Sequence, residues 1–189
     1  MLQSKPVPAG DNWITKDISE FCGSPVSRIR DEWMLITAES MGASGPRVSG
    51  TDAVWNTMTA SWGGLGVLWG KDVAFMFIRP SRYTFEFANA SPVFTLSFFD
   101  EAYHGALAFC GANSGRDMDK AAATELTPIF FDDGGFSFLE ASDIITCQKL
   151  YTHDFDPSVF LDPSIEKNYP RKDYHRMFIG EIIQYRIQK

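Results

Sequence analysis

Two arginines, Arg79 and Arg82, flank Pro80-Ser81 at a point where a helix is expected to begin. A helix N-terminus leaves backbone N–H groups unpaired and carries the positive end of the helix dipole, so it receives a phosphate readily. Guanidinium groups add planar, charge-assisted hydrogen bonds to such an anion. The competing assignment is ordinary pairing of these arginines with Glu86 or Asp72. Ser114 and Lys120 form a second helix-start cluster, in which the lysine either reaches an anion or pairs with Asp117 one turn earlier. The run Met58-Thr59-Ala60-Ser61-Trp62 leads into a glycine-rich stretch. As a strand end it offers backbone N–H and hydroxyl donors to a flat ligand, with Trp62 to cover it. As a core strand it is simply closed by an aromatic plug.

Several other chemistries are excluded. Gly70-Lys71 has no glycine five residues before Gly70, and Asp72 replaces the Ser or Thr a phosphate-binding P-loop needs. Gly64-Leu65-Gly66 lacks the third glycine of a dinucleotide loop, because Trp69 stands there. Gly63, Gly64, Gly66 and Gly70 therefore read as glycines of a tight connection. His104, His153 and His175 show no metal-ligand spacing, so no zinc or di-iron site is expected. No Gly-x-Ser-x-Gly elbow supports a hydrolase triad. Asp132-Asp133-Gly134 reads as a turn, and Cys147 as a buried structural thiol. The remaining set favours a cofactor that brings its own reactivity.

The elements that must position these residues are mostly strands. They are expected at Trp33–Ala38, Ala53–Ser61, Val73–Ile78 (continuously apolar, suited to burial on both faces), Val93–Phe99, Pro128–Phe131, Gly135–Leu139, Ile144–Tyr151 and Met177–Ile187. Helices are expected at Arg82–Ala90, at Ala102–Cys110, and from Ser114 with Asp117 completing a capping box. Met41–Asp52 reads as a loop. Regular strand–helix alternation is missing, so the expected fold is a mainly β barrel with peripheral helices. The chain of 189 residues suits one domain, with residues 1–29 as an N-terminal extension. Sixteen Phe and five Trp supply a core, with aromatic surface left for a flat ligand or a partner. A net charge of −7 argues against nucleic acid or an anionic membrane as partner. Three scattered cysteines, a polar Met1–Asn12 and no long apolar run lead to the expectation of a reduced, cytoplasmic protein.

Five segments then occur in order: Asn56-Thr57-Met58-Thr59-Ala60-Ser61-Trp62, Ile78-Arg79-Pro80-Ser81-Arg82-Tyr83-Thr84, Phe94-Thr95-Leu96-Ser97-Phe98-Phe99, Ser114-Gly115-Arg116-Asp117-Met118-Asp119-Lys120, and Asp173-Tyr174-His175-Arg176-Met177-Phe178-Ile179-Gly180-Glu181-Ile182. This series, over roughly residues 30–185, resembles the flavin reductase-like family of FMN-binding split-barrel proteins, and within it the flavoredoxin-type branch. Each segment alone is weak; the order and spacing carry the resemblance. The family often has Gly-Asp-His before its last strand. Here Lys172-Asp173-Tyr174-His175 keeps the histidine and changes its approach.

The resemblance implies a Greek-key split β-barrel, a homodimer, FMN as cofactor and NADH or NADPH as electron donor. It places Arg79, Ser81, Arg82, Thr84, Ser114 and Lys120 toward the FMN phosphate. Asn56, Met58, Thr59, Ala60, Ser61 and Trp62 would line the ring and ribityl chain, with Ser97 and Phe98 extending that wall. His175 would be the catalytic-side residue, bonding the flavin or orienting a nicotinamide, or else a strand-edge histidine capping a carbonyl. Three functions fit the resemblance: an NAD(P)H-dependent oxidoreductase, an electron carrier reduced by a redox protein partner, and a non-catalytic FMN-binding protein.

Overall fold

The computed structural model describes residues 4–39, 54–132 and 134–189. The expected loop at Met41–Asp52, Ala53 and Asp133 lie outside these residues. Strands β1 (Val7–Pro8) and β2 (Trp13–Lys16) open the chain. A single helical turn, α1 (Pro25–Ser27), continues as a π-helical turn through Glu32. Then come β3 (Met34–Glu39), β4 (Trp55–Ala60), β5 (Gly63–Leu68), β6 (Lys71–Ile78), α2 (Thr84–Ala90), β7 (Val93–Phe98), α3 (His104–Ala112), α4 (Lys120–Thr124), β8 (Pro128–Phe130), β9 (Phe136–Phe138), β10 (Asp143–Asp154) and β11 (Arg176–Gln188).

The main sheet is antiparallel in the order β4-β3-β7-β10-β11-β6-β5, and β2 adds to β11. The two end strands of that order, β4 and β5, are joined in sequence by Ser61-Trp62 alone, so one short linker spans the split. Alternation sorts the strand side chains into two cores. Met34, Ile36, Leu96, Phe98, Ile145 and Phe178 fill the inside of the curved sheet. On its outer face Leu35, Trp55 and Ile144 pack with Leu107 and Cys110 of α3, and with Ile129 and Phe138 of the small sheet β1-β8-β9. Strands β3, β7 and the first half of β10 are thus covered on both faces. This is the mainly β split-barrel architecture expected from the sequence.

Four expectations are corrected. Gly63–Leu68 is a strand, not a connection. Gly63 is required by the neighbouring strand β6, since a Cβ there would stand 2.9 Å from the Phe75 carbonyl oxygen; at Gly64 and Gly66 a Cβ would only make ordinary contact with the Phe75 ring, at 3.8 and 3.7 Å. The tight turn is Trp69-Gly70, both at positive φ as a two-residue hairpin demands. Second, β6 is buried throughout on one face only: Ala74, Met76 and Ile78 are buried, while on the other face Val73 is buried but Phe75 and Phe77 are half-open. Third, α2 begins at Thr84 rather than Arg82, because Pro80–Tyr83 is spent on a turn closed by the Arg82 N–H donating to the Arg79 carbonyl (3.0 Å). Fourth, Ser114 starts a turn and not a helix. Its hydroxyl accepts from the Arg116 N–H (3.2 Å), and Asp119 takes the cap of α4 by accepting from the Ala122 N–H (3.2 Å). Residues 4–29 are integrated: β1 pairs with β8 and β2 with β11.

Candidate functional site

Strand β4 is the spine of the site. Near its start the buried Asn56 side chain donates to Thr84 Oγ1 at the head of α2 (2.8 Å). A Cβ on Gly115 would overlap Asn56 Oδ1 at 2.1 Å, so the Ser114-Gly115 turn sits directly on this pair. At the next residue the Thr57 carbonyl accepts from Lys120 Nζ (2.8 Å), which also donates to the Cys110 carbonyl (2.9 Å). Arg82 donates to the neighbouring Gly111 carbonyl (2.6 Å). Cys110 and Gly111 belong to the last turn of α3, whose carbonyls lack partners within the helix. Thr59 donates its hydroxyl to the Leu107 carbonyl one turn earlier and packs against Gly111.

Arg82 is close enough to Lys120 to disfavour its charged state, and Arg79 acts on Arg82 in the same way. Burial, with Arg82 adding to it, pushes Lys120 down to about 8. Burial and the nearby Arg79 lower Arg82 as well. Lys120 is only 5% exposed, and among the described residues neither cation has a carboxylate in ion-pair contact. The C-terminus of a helix supplies about half a negative charge. Two cations there leave positive charge uncompensated, in a place where burial makes it costly. Lys120 therefore does not pair with Asp117, and Arg82 pairs with neither Glu86 nor Asp72.

Arg79 and Ser81 turn the other way. Arg79 Nη1 donates to Asp173 Oδ1 (3.0 Å) and Nη2 to the Asn168 carbonyl (2.8 Å), and Ser81 donates to Asp173 Oδ2 (2.9 Å). These bonds pin the loop 155–175, between β10 and β11, to the turn before α2. His175 lies at the end of this loop, 7% exposed, with Nδ1 2.8 Å from the hydroxyl of Tyr169. It is no carbonyl cap. Burial and Arg79, opposed by Asp173, push its imidazole down to about 4, so it is neutral at physiological pH. Its ring packs 5.1 Å from Trp62 and 6.5 Å from Phe155.

Trp62, 44% exposed, and Phe155 belong to an open cleft of about 400 Å³ completed by Ser61, Gly63, Phe77, Val26, Ile29 and Arg30. The structure thus brings Asn56, Thr59, Arg82, Thr84, Ser114 and Lys120 to one end of β4, and Ser61, Trp62 and His175 to the other, with Arg79 and Ser81 bracing the loop between. Met58 and Ala60 point into the barrel core. Ser97 and Phe98 are not brought to the site: both are fully buried, Ser97 against the Ser137 hydroxyl (2.8 Å) and Phe98 in the barrel core. Central strand β7 is covered on both sides, which removes its side chains from any ligand. Tyr169, Phe77, Phe155, Val26 and Ile29 were not foreseen. Only their aromatic or apolar character, without periodicity, marked them in the sequence.

Among the described residues no cluster of three or more His, Cys, Asp or Glu could hold a metal ion, and no helix is long and apolar enough to cross a membrane. No family model matches the chain, and no curated protein matches it. Solved structures do. An FMN-binding domain of a flavin reductase-like enzyme from Shewanella baltica aligns with a TM-score of 0.62 at 14% identity, over 94% of this chain and 78% of that one. Flavoredoxin of Desulfovibrio vulgaris aligns at 0.59 and 18% identity, over 93% and 78%. An FMN-binding protein from Thermus thermophilus with bound p-hydroxybenzaldehyde aligns at 0.58 and 19%, over 81% and 69%. At such identities the likeness concerns the backbone, and with the strand order and the split between β4 and β5 it establishes that this chain has the split-barrel fold of the flavin reductase-like FMN-binding proteins.

Proposed function

We propose that the protein binds FMN and passes electrons through it, from NADH or NADPH to an acceptor. The observation that carries this reading is the pair Arg82 and Lys120, two neighbouring cations with helix carbonyls but no carboxylate to balance them. A dianionic phosphate is the complement of such a pair. Four residues on from Thr57, at Ser61 just past the end of β4, an extended chain has spanned roughly 13 Å, and there the lining becomes aromatic. An anionic end, a polar stretch and a flat end are the three parts of FMN, and the fold is shared with proteins that bind it. FMN supplies hydride and electron transfer at its ring. The chain's own residues bind and orient: Arg82 and Lys120 at the phosphate, Thr59 and Ser61 along the strand edge, and Trp62 over the flat end. His175, neutral and held beside Trp62, offers a hydrogen bond without adding charge.

A homodimer belongs to the same proposal. Val67, Trp69 and Tyr151 are exposed on the β5–β6 hairpin and β10, with the Trp69 and Tyr151 rings 6.2 Å apart. A second copy related by a two-fold axis would cover them.

The test is flavin affinity in Arg82→Ala. A hydrogen bond to a charged group contributes about 1.5–3 kcal/mol, so FMN affinity should fall roughly 10- to 150-fold, while riboflavin, which lacks the phosphate, binds as before. Equal loss for both flavins would overturn the phosphate assignment. Oxidation of NADH or NADPH by the FMN-loaded protein separates an oxidoreductase from a carrier that only a protein partner reduces.

A further inference from the structure

Tyr169 and His175 form a hydrogen-bonded pair buried beneath the aromatic cleft. Tyr169 is 3% exposed and ends the 3₁₀ segment Pro163–Asn168. The Arg79 guanidinium lies 5.0 Å over its ring, Tyr174 packs at 4.9 Å and Phe160 stacks at 6.1 Å, so the phenol is clamped on several sides. The distance between its hydroxyl and His175 Nδ1 allows two arrangements with opposite chemistry. If Nδ1 carried the proton and donated to the phenol oxygen, the hydroxyl proton would need another acceptor. Among the described residues it has none, and Nε2 would be left as a bare acceptor. If the hydroxyl donates to Nδ1, the phenol proton is satisfied and the single imidazole proton sits on Nε2. A buried donor without an acceptor is the more costly outcome, and that selects the second arrangement.

We propose that Tyr169 is a positioning residue that locks His175 as the neutral tautomer protonated at Nε2, so that His175 presents one N–H donor, and no base, to the acceptor edge of a conjugated ring held in the Trp62–Phe155 cleft. The identity of the ring as flavin rests on the proposed function; the tautomer does not. Nε2 has no hydrogen-bond partner among the described residues, and its ring packs against two residues that line the cleft. Burial keeps Tyr169 above its ordinary value and His175 far below its own, so both members stay neutral at pH 7. Such a donor strengthens as negative charge builds on an acceptor opposite it, without releasing a proton to that acceptor.

Long-range proton–nitrogen NMR of the full chain with ¹⁵N-labelled histidine tests this. The chain has only three histidines, and His175→Gln assigns the relevant signals. At pH 7 the His175 Nδ1 should resonate as an unprotonated ring nitrogen and Nε2 as a protonated one. In Tyr169→Phe the two shifts should move toward each other as the tautomers mix. A protonated Nδ1 in the native protein, or an unchanged Tyr169→Phe spectrum, overturns the proposal. If Tyr169→Phe fails to fold, the native spectrum alone decides the tautomer. FMN is then titrated in, with flavin fluorescence reporting binding, and the Nε2 proton signal should shift on binding. Binding with that signal unmoved overturns the donor role. Failure of FMN to bind at all overturns the flavin reading and the donor role together, and leaves the tautomer decided by the free protein.

Discussion

Replacing Lys120 by methionine keeps most of the side-chain stem and removes the ammonium. The consequences can be worked from two opposed quantities. The native ammonium donates to the carbonyls of Thr57 and Cys110 at 2.8 and 2.9 Å. Stranding two buried carbonyls costs about 1–3 kcal/mol each. Against this, burial lowers the lysine from 10.5 to about 8, which corresponds to about 3 kcal/mol of disfavour toward the charged form. Lys120→Met should therefore lie within about 3 kcal/mol of the native protein at pH 7, and stability at one pH says little. The pH dependence says more. Between the folded value near 8 and the unfolded value of 10.5, the unfolded chain holds a proton that the folded chain has released. Native stability therefore gains from this group as pH rises through that window, and the variant lacks the gain. Urea unfolding of both proteins at pH 7, 8.5 and 10 isolates it together with the Cys110 thiol it is coupled to, because the titrating groups remote from Lys120 cancel in the difference. Native minus variant should grow by roughly 2–3 kcal/mol across the range. FMN affinity should show the same group with the opposite sign: it should weaken above pH 8 in the native protein, and Lys120→Met should be weaker at pH 7 and nearly flat. A flat stability difference would mean that the ammonium is not desolvated. Equal FMN affinities at pH 7 would remove Lys120 from the phosphate site.

His175 sets the acid side. Its value falls from 6.5 to about 4 in the folded protein, so the unfolded chain takes up the proton first, and stability is lost as pH falls from about 6.5 to about 4, by about 3 kcal/mol at most; the stability of the native protein minus that of His175→Gln, from unfolding at pH 7, 5.5 and 4, should fall across this range, the carboxylates that titrate in both proteins cancelling. Gly180→Ala would place a Cβ 2.6 Å from Cε1 and Cζ of Phe94 and 2.7 Å from Cβ of Cys147, an overpacked contact between strands that should cost about 1–3 kcal/mol, read as a lowered thermal midpoint. Sedimentation of the FMN-loaded protein at micromolar concentration should give about twice the 21.2 kDa chain mass, and a single-chain mass would remove the dimer.

The strands that side-chain pattern alone could mark were legible. Met34–Glu39, Val93–Phe98 and the two long strands at the C-terminal end carry dense apolar or β-branched character, and the structure places them within a few residues of expectation. Strand β5 was not legible, because three of its six residues are glycine and present no pattern. What makes them strand residues is the antiparallel ladder with β6, from Gly63 opposite Met76 to Leu68 opposite Lys71, a fact about the pairing partner and not about the segment. Ser114 failed as a helix start for a related reason. Two capping residues, Ser114 and Asp119, compete within six positions, and local chemistry ranks both as good caps.

The same division runs through the site. Arg82 and Lys120 stood out as cations near expected helix starts; Lys120 does open α4, yet neither side chain serves the N-terminus of its own helix. Each donates instead to the carbonyl end of α3, a helix lying between them in sequence. The charges were visible in the sequence and the carbonyl cradle was not, since it exists only once α3 folds back onto β4. Ser97 shows the converse. Its motif suggested a ligand wall, but a strand's place at the centre or edge of a sheet is a property of the topology, and β7 lies between β3 and β10 with a core on either face. Tyr169 carried no signal beyond its aromatic character. It sits in a loop, six residues from His175, in no recognised spacing, and acquires a role only because Arg79, held by Asp173 and Asn168, presses the loop against the barrel. The bracing residue Arg79 is thus the link between the two ends of the site: burial does most to lower Arg82 on one side and His175 on the other, and the same guanidinium adds to both.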